Sequence, residues 1–429
     1  MARPDTSSLT DSETRGHDRP RVSLSPRVIT GLVVAGLAAT TNAQIFALLL
    51  SPIANDLGLS VPRLGALRTI EEFVAIATGL ALTPVIDRYA RRHLLLIGFV
   101  LMATAALLAS MSVHPVMLIG YFVIDGVSKI LLFASLLALP SDLTRGPALD
   151  RALGFVIGSF ALTGFTTVPL AGLLADELSW RAGFGLAVGI AVAAFAVTLV
   201  TLPGVRPAAH AHSSVVEQFR VIAALPGLLA GLIGAMFRFA MYASVVNYTS
   251  AYFVDDFGVD VSVAGLYFSL GSLGFLGASV VSGYLLARVG GTRALIGGGI
   301  ITGILATIAY GAGLPLALTG FALFVAAVAM GILENASTAL LFRLAPDHRG
   351  AAMSLNELGA AGGSMLGIGA GALALRLDGY SGISVILGLS GAIAVITTWL
   401  AAQAERRAVR PLPTATSPAQ TAGSPRSQR

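Results

Sequence analysis

The chain has no cysteine, one lysine (Lys129) among its 27 basic residues, and charged side chains at only 11% of its 429 positions. Without cysteine there are no disulfides, thiolate metal sites or cysteine nucleophiles. So little charge excludes an ordinary soluble domain, in which about a quarter of residues are charged. Nucleotide-binding signatures and catalytic triads are also missing, so no enzyme, cofactor, metal or ATP is expected. What is present is apolar: 55% of residues are hydrophobic, and mean hydropathy is +0.82. The composition is that of a polytopic membrane protein, with the lipid bilayer as its first partner. A net charge of +5 would suit nucleic acid, but the basic residues are distributed for membrane topology, and no nucleic-acid partner is expected.

Twelve runs are long enough to cross a bilayer, by the rule of ~20 apolar residues per helix. They cover residues 28–50, 64–86, 94–112, 116–139, 152–174, 182–202, 226–254, 262–286, 294–313, 315–342, 351–375 and 381–402. Spans 9 and 10 are separated only by Gly313, Leu314 and Pro315. The fold expected is all-α, with a six-helix bundle over 28–202 and another over 226–403. Residues 203–225 form a linker with Pro203, Pro207, His210, His212 and an amphipathic piece, Val215–Leu225. The two histidines suit a solvated linker better than a metal site. Polar tails, 1–27 and 404–429, are expected to be disordered, and the first carries no cleavable signal.

Basic residues orient the bundle. With the N-terminus inside, 21 of the 27 fall on the cytoplasmic side, and only Arg63, Arg181 and Arg376 fall outside. Both termini are therefore expected in the cytoplasm, and the protein in the cytoplasmic membrane.

Charges inside the spans follow a pattern. Spans 4, 7 and 10 carry Asp125 and Lys129, Arg238, and Glu334, whereas spans 3, 6, 9 and 12 carry none. A charge in hydrocarbon costs at least ~2.5–3.5 kcal/mol, so it persists where it meets water, a partner or a substrate. A three-span period of wet and dry helices describes a polar cavity.

The two halves also repeat. Asp87-Arg88-Tyr89-Ala90-Arg91-Arg92 follows span 2, and Gly283-Tyr284-Leu285-Leu286-Ala287-Arg288-Val289-Gly290 follows span 8. Equal topology in the halves implies parallel repeats. Here the chain resembles the major facilitator superfamily over about residues 28–402. Asp87, Arg88, Arg91 and Arg92 match that family's loop signature, with Thr83, Val85 and Ala90 replacing its Gly, Leu and Gly. Gly283, Arg288 and Gly290 keep part of the second copy. Trp180-Arg181 and Phe184 resemble another recurring element. Gly164, Pro169 and Gly172 resemble the antiporter signature of span 5, with Val168 and Leu173 in place of two glycines. Phe122 stands where the family usually has an arginine. The resemblance implies spans 1, 4, 7 and 10 around the cavity, outer supports at 3, 6, 9 and 12, a monomer, and gating by the loop after span 2.

Asp125 and Lys129, at i and i+4, share a helix face. They form either a permanent internal pair or one that exchanges partners as a proton or substrate binds. Arg238 either binds a substrate anion or pairs with Glu334 or Asp125. A carboxylate in a dry cavity can take up a proton near neutral pH, which makes Asp125 and Glu334 the candidates for proton coupling. Asn42, Gln44, Lys129, Arg238, Tyr242, Asn247 and Asn335 are the candidates for substrate binding. For the amides, helix–helix hydrogen bonding is the alternative. Arg68, Glu71 and Glu72 suit a structural or outer-gate role. Glu357 suits a pair with Arg349 or an inner gate. The glycines at 297–299, 362–363, 367, 369 and 371 suit close helix packing rather than phosphate loops. The reading is a secondary carrier of a small solute, with proton-coupled efflux of a drug or metabolite favoured. Uptake of an anionic or zwitterionic metabolite is the alternative, and a non-transporting sensor the remote one.

Overall fold

A backbone in hydrocarbon must satisfy its own hydrogen bonds, and a helix does so within one segment. The computed structural model describes residues 25–86, 89–144, 147–204, 225, 227–345 and 349–409, and every regular element among them is helical. Span 1 is Pro26–Leu48, continued past a break at Leu49 by Leu50–Asp56. Span 2 is Val61–Ile86, span 3 Arg91–Ser110 and span 4 Pro115–Leu143. Span 5 is Pro147–Glu177, span 6 Trp180–Thr201, span 7 Leu228–Phe257 and span 8 Val261–Val289. Span 9 is Gly291–Gly311 and span 10 Leu316–Leu344. Spans 11 and 12 are one element, Arg349–Val409, kinked at Asp378 and Gly379.

Ten of these helices are long and apolar enough to cross a membrane. Spans 11 and 12, expected as two, are two helices divided at Asp378 and Gly379 and count once among the ten. In addition, the span 2 helix, with Arg63, Arg68, Glu71 and Glu72, stands outside the ten.

Local sequence sets the ends. Ser25 Oγ accepts from the Val28 N–H at 3.4 Å, with Pro26 next in the chain. His114 Nδ1 accepts from the Val116 N–H at 3.2 Å, with Pro115 between. Proline at the first position and a hydrogen-bonding cap before it are helix starts. Gly258 (φ 63°) ends span 7, and Gly313 (φ 59°) separates spans 9 and 10; neither angle suits a side chain with a Cβ.

The same pairings recur in both halves. Span 1 packs on 5 as 7 packs on 11, and 3 on 4 as 9 on 10. Span 2 packs on 4 as 8 packs on 10. Between the halves, span 2 meets span 11 and span 5 meets span 8. Spans 3, 6 and 9 pack within their own halves, which fits their lack of charge.

Among the described residues, the halves close on the side opposite the chain ends. There the core runs continuously from Phe46, Tyr121 and Phe184 into Tyr248, Tyr252 and Phe253. A separate core around Phe99, Leu132 and Leu136 belongs to the first half alone. Glycines draw the seam. A Cβ on Gly65 of span 2 would overlap the Tyr248 ring of span 7. A Cβ on Gly172 would sit 2.9 Å from Ser262 Cα. Towards the chain ends, Gly154 and Gly158 of span 5, Gly277 and Gly283 of span 8 and Gly362 of span 11 face open space. Among the described residues, spans 5 and 8 thus part towards the chain ends, the open side of the bundle.

Candidate transport site

Span 2 brings three charged residues into the first half. Lys129 Nζ of span 4 lies 2.6 Å from Glu72 Oε1 and 3.3 Å from Glu71 Oε1. Glu71 and Glu72 are buried. Arg68 Nε lies 3.7 Å from Glu71 Oε2. Its Nη2 donates to Ala43 O at 3.0 Å, and its Nη1 donates to Asn247 Oδ1 of span 7. Arg68 therefore clamps the two halves on their closed side, which supports the outer-gate expectation.

Asp125 does not pair with Lys129. It is buried and accepts from Asn42 Nδ2 at 2.6 Å. Asn42 also donates to Met102 O at 3.2 Å. One face of span 4 does carry both residues, but the flexible lysine stem reaches two span 2 carboxylates, which outcompete one buried beneath an amide. Among the described residues, Asp125 is the buried intramembrane carboxylate with no cation within ion-pair distance.

In the second half, Arg238 is paired rather than free. Its Nε and Nη2 donate to Glu334 Oε2 and Oε1 at 3.0 and 3.2 Å, a bidentate fork, and its Nη1 donates to Ser337 Oγ. Two parallel charge-assisted bonds fix orientation as well as charge. Glu357 is exposed although it lies among packed helices, within electrostatic range of Arg238 and Glu334. It accepts from the neighbouring Asn356 Nδ2 at 3.5 Å, while the side chain of Arg349 lies outside the described residues.

The remaining candidates separate. Tyr242, one turn beyond Arg238, is 40% exposed, with its ring centre 6.4 Å from that of Phe275. Gln44 Nε2 donates to Phe160 O at 3.3 Å, and Asn247 holds Arg68. Asn335 donates to Ser279 O and Ser282 Oγ of span 8, at 3.1 and 2.7 Å. It is a helix–helix tie, turned from Glu334 by its place on the helix. Gly164 packs on Ser272, and Pro169 and Gly172 line the seam against Gly265 and Ser262. Arg91 Nε donates to Asp142 Oδ2 at 3.1 Å, and Arg92 to Leu199 O, both within the first half. Arg288 stacks on Tyr284 of its own helix, 4.2 Å from the ring centre, beside Gly283 and the helix-ending Gly290. Asp87 and Arg88, like His210 and His212, lie outside the described residues.

Sequence reasoning missed Glu71 and Glu72 as the partners of Lys129. Depth was the available signal. Glu71 is ten residues past Val61 and Asp125 ten past Pro115, so both lie about 15 Å from the same side at 1.5 Å per residue.

The model of the Major Facilitator Superfamily matches residues 32–310 and 230–428. The chain belongs to this superfamily. It is 28% identical over 243 residues to the purine ribonucleoside efflux pump NepI of Escherichia coli O127:H6 (strain E2348/69 / EPEC), a match covering 56% of this chain and 60% of that protein. The chain thus spans about three fifths of the length of the curated relatives it matches. Among solved structures, it is similar to the nucleoside transporter NupG, with a TM-score of 0.70 at 13% identity, covering 88% of this chain and 99% of that one. The peptide transporter POT gives 0.72 at 14%, covering 90% and 96%. At such identities the likeness is one of fold. A superfamily transporter with apolar helices throughout is an integral, multi-pass membrane protein.

Proposed function

We propose that this transporter is a proton-coupled carrier that exports a small, polar, uncharged solute of the nucleoside type across the cytoplasmic membrane. It works as a monomer with both termini inside, as two six-helix bundles over 28–202 and 226–403. Asp125 carries the proton. The observation behind this is its burial without a cation, while each other buried carboxylate in the bundle has one. An uncompensated charge in that position costs several kcal/mol, and a proton is the smallest cation that can neutralise it.

The network around Asp125 links proton to gate. Ionised Asp125 attracts Lys129, one turn away, in competition with Glu71 and Glu72. Loosening that triad frees Glu71 to draw on Arg68, whose guanidinium clamps Asn247 across the seam. Proton binding thus favours one arrangement of the clamp and proton release the other, the differential interaction alternating access needs.

The five intramembrane carboxylates (Glu71, Glu72, Asp125, Glu334, Glu357) outnumber the three cations (Arg68, Lys129, Arg238). Lys129 and Arg238 are also occupied, so among the described residues an anionic substrate finds no free intramembrane cation in this state. Export is supported by the similarity to the NepI efflux pumps and by the partial antiporter signature.

The test is growth under toxic compounds, nucleoside analogues included, in a host without its own major pumps. It would express the wild type, Asp125→Asn or Glu334→Gln at matched levels. Protection by the wild type that Asp125→Asn removes supports the reading. Equal protection by Asp125→Asn, or none by the wild type, refutes it.

A further inference from the structure

The charges of the second half leave one carboxylate over. Glu334 is held by Arg238 through two hydrogen bonds, which leaves Glu357 exposed and outside every ion pair found among the described residues. Its hydrogen-bond partner is the amide of its own neighbour, at the long distance of 3.5 Å. That neighbour, Asn356, is 2% exposed, and its Oδ1 is buried without a donor. Two adjacent side chains thus have acceptor capacity that the protein leaves unfilled.

Their position fits a ligand. Glu357 lies eight residues past Arg349 and Arg238 ten past Leu228, so both sit about 12–15 Å in from the open side. A Cβ on Gly359, two residues past Glu357, would lie 3.9 and 4.0 Å from Leu232 O and Met236 Cβ of span 7, which sets this stretch of span 11 beside the span that carries Arg238. Tyr242 adds an exposed ring one turn from Arg238. Span 11 is anchored against span 7 by Gly363 and Gly367, where a Cβ would overlap the Met236 and Ala240 backbones, so the carboxylate is held rigidly to the span that carries Arg238 and Tyr242.

We infer that Glu357, with Asn356 beside it, is the substrate-recognition site for a pair of neighbouring hydroxyl donors, the vicinal diol of a ribose, while Tyr242 offers a face to the base. A carboxylate has two oxygens and accepts only, so it accepts a hydrogen bond from each hydroxyl and repels a phosphate on the same sugar. This inference rests on the proposed nucleoside export and assigns its specificity.

The experiment uses the full-length protein in proteoliposomes, with radiolabelled guanosine and its 2′,3′-dideoxy analogue as probes. Glu357→Gln should raise the KM for guanosine about tenfold or more, the effect of losing a hydrogen bond to a charged acceptor, with kcat little changed. The dideoxy analogue should already show a raised KM in the wild type and should not respond to the substitution. Glu357→Asp should restore part of the guanosine affinity, which separates recognition from a folding defect. An unchanged KM for guanosine, an equal shift for both probes, or a fall in kcat alone overturns the inference. If the wild type moves neither probe, the export reading falls and the inference with it.

Discussion

Replacing Lys129 with methionine keeps the length of the side chain and removes its charge. Glu72 then loses its cation, and Glu71 keeps only Arg68, at 3.7 Å. At an effective dielectric of about 20, unit charges at the observed 2.6 and 3.3 Å attract by about 6 and about 5 kcal/mol. Repulsion between Glu71 and Glu72 and the desolvation of all three groups cancel much of that, and breaking a buried pair typically costs about 3–5 kcal/mol. Lys129 keeps 26% of its side chain accessible, so the lower part of that range is expected. The assay is the thermal midpoint of the protein in detergent, read as a double-mutant cycle with Glu72→Gln. Lys129→Met should lower the midpoint clearly, and adding Glu72→Gln should recover much of the loss. A midpoint unchanged by Lys129→Met, or strictly additive effects in the double variant, would show that the triad is not coupled.

Three further outcomes are expected. Arg238→Gln should destabilise the protein and abolish transport, and the pair Arg238→Gln with Glu334→Gln should fold better than Arg238→Gln alone without regaining transport. Because the chain has no cysteine, a single Ser51→Cys can report closure through labelling by a membrane-impermeant thiol reagent. Ser51 is fully buried and donates to Asp255 across the seam. Gly65→Leu, which collides with Tyr248, should turn that cysteine from protected to readily labelled. Asp176 caps span 8 from the other half, accepting from the Val261 and Ser262 N–H groups at 3.1 and 2.8 Å. Losing such a cap costs about 1–2 kcal/mol, so Asp176→Ala should increase labelling roughly five- to thirty-fold.

The helices were legible because hydrocarbon imposes length and apolarity on each span. The interruption at Asp378 and Gly379 was legible too, in the gap between 351–375 and 381–402; the break at Leu49, within a continuous apolar run, was not. The charged spans showed where the cavity lies, yet i, i+4 spacing suggested the wrong partner for Lys129. Spacing along one helix says which residues share a face, whereas ion pairs across a bundle depend on depth. Glu71 and Asp125, at matching depths in spans 2 and 4, show what that comparison could have found. Asn335 shows the reverse error: it adjoins Glu334 in sequence, but successive helix positions differ by about 100°, and it points to span 8. Which side is closed has no signature in the sequence, since one chain must form both arrangements. The glycine runs in spans 9 and 11 were read as close packing. Gly299 against Val395, Gly363 against Met236 and Gly367 against Ala240 bear that out, whereas Gly297 and Gly362 meet nothing within 4 Å.

The central claim is that Asp125 couples a proton to export, and proteoliposomes loaded with a pH gradient test it most directly. With guanosine as the probe, the wild type should accumulate substrate against its gradient only when protons can move in exchange. Asp125→Asn should lose that accumulation while still exchanging labelled for unlabelled guanosine at equilibrium. Gradient-driven accumulation by Asp125→Asn equal to that of the wild type would contradict the account.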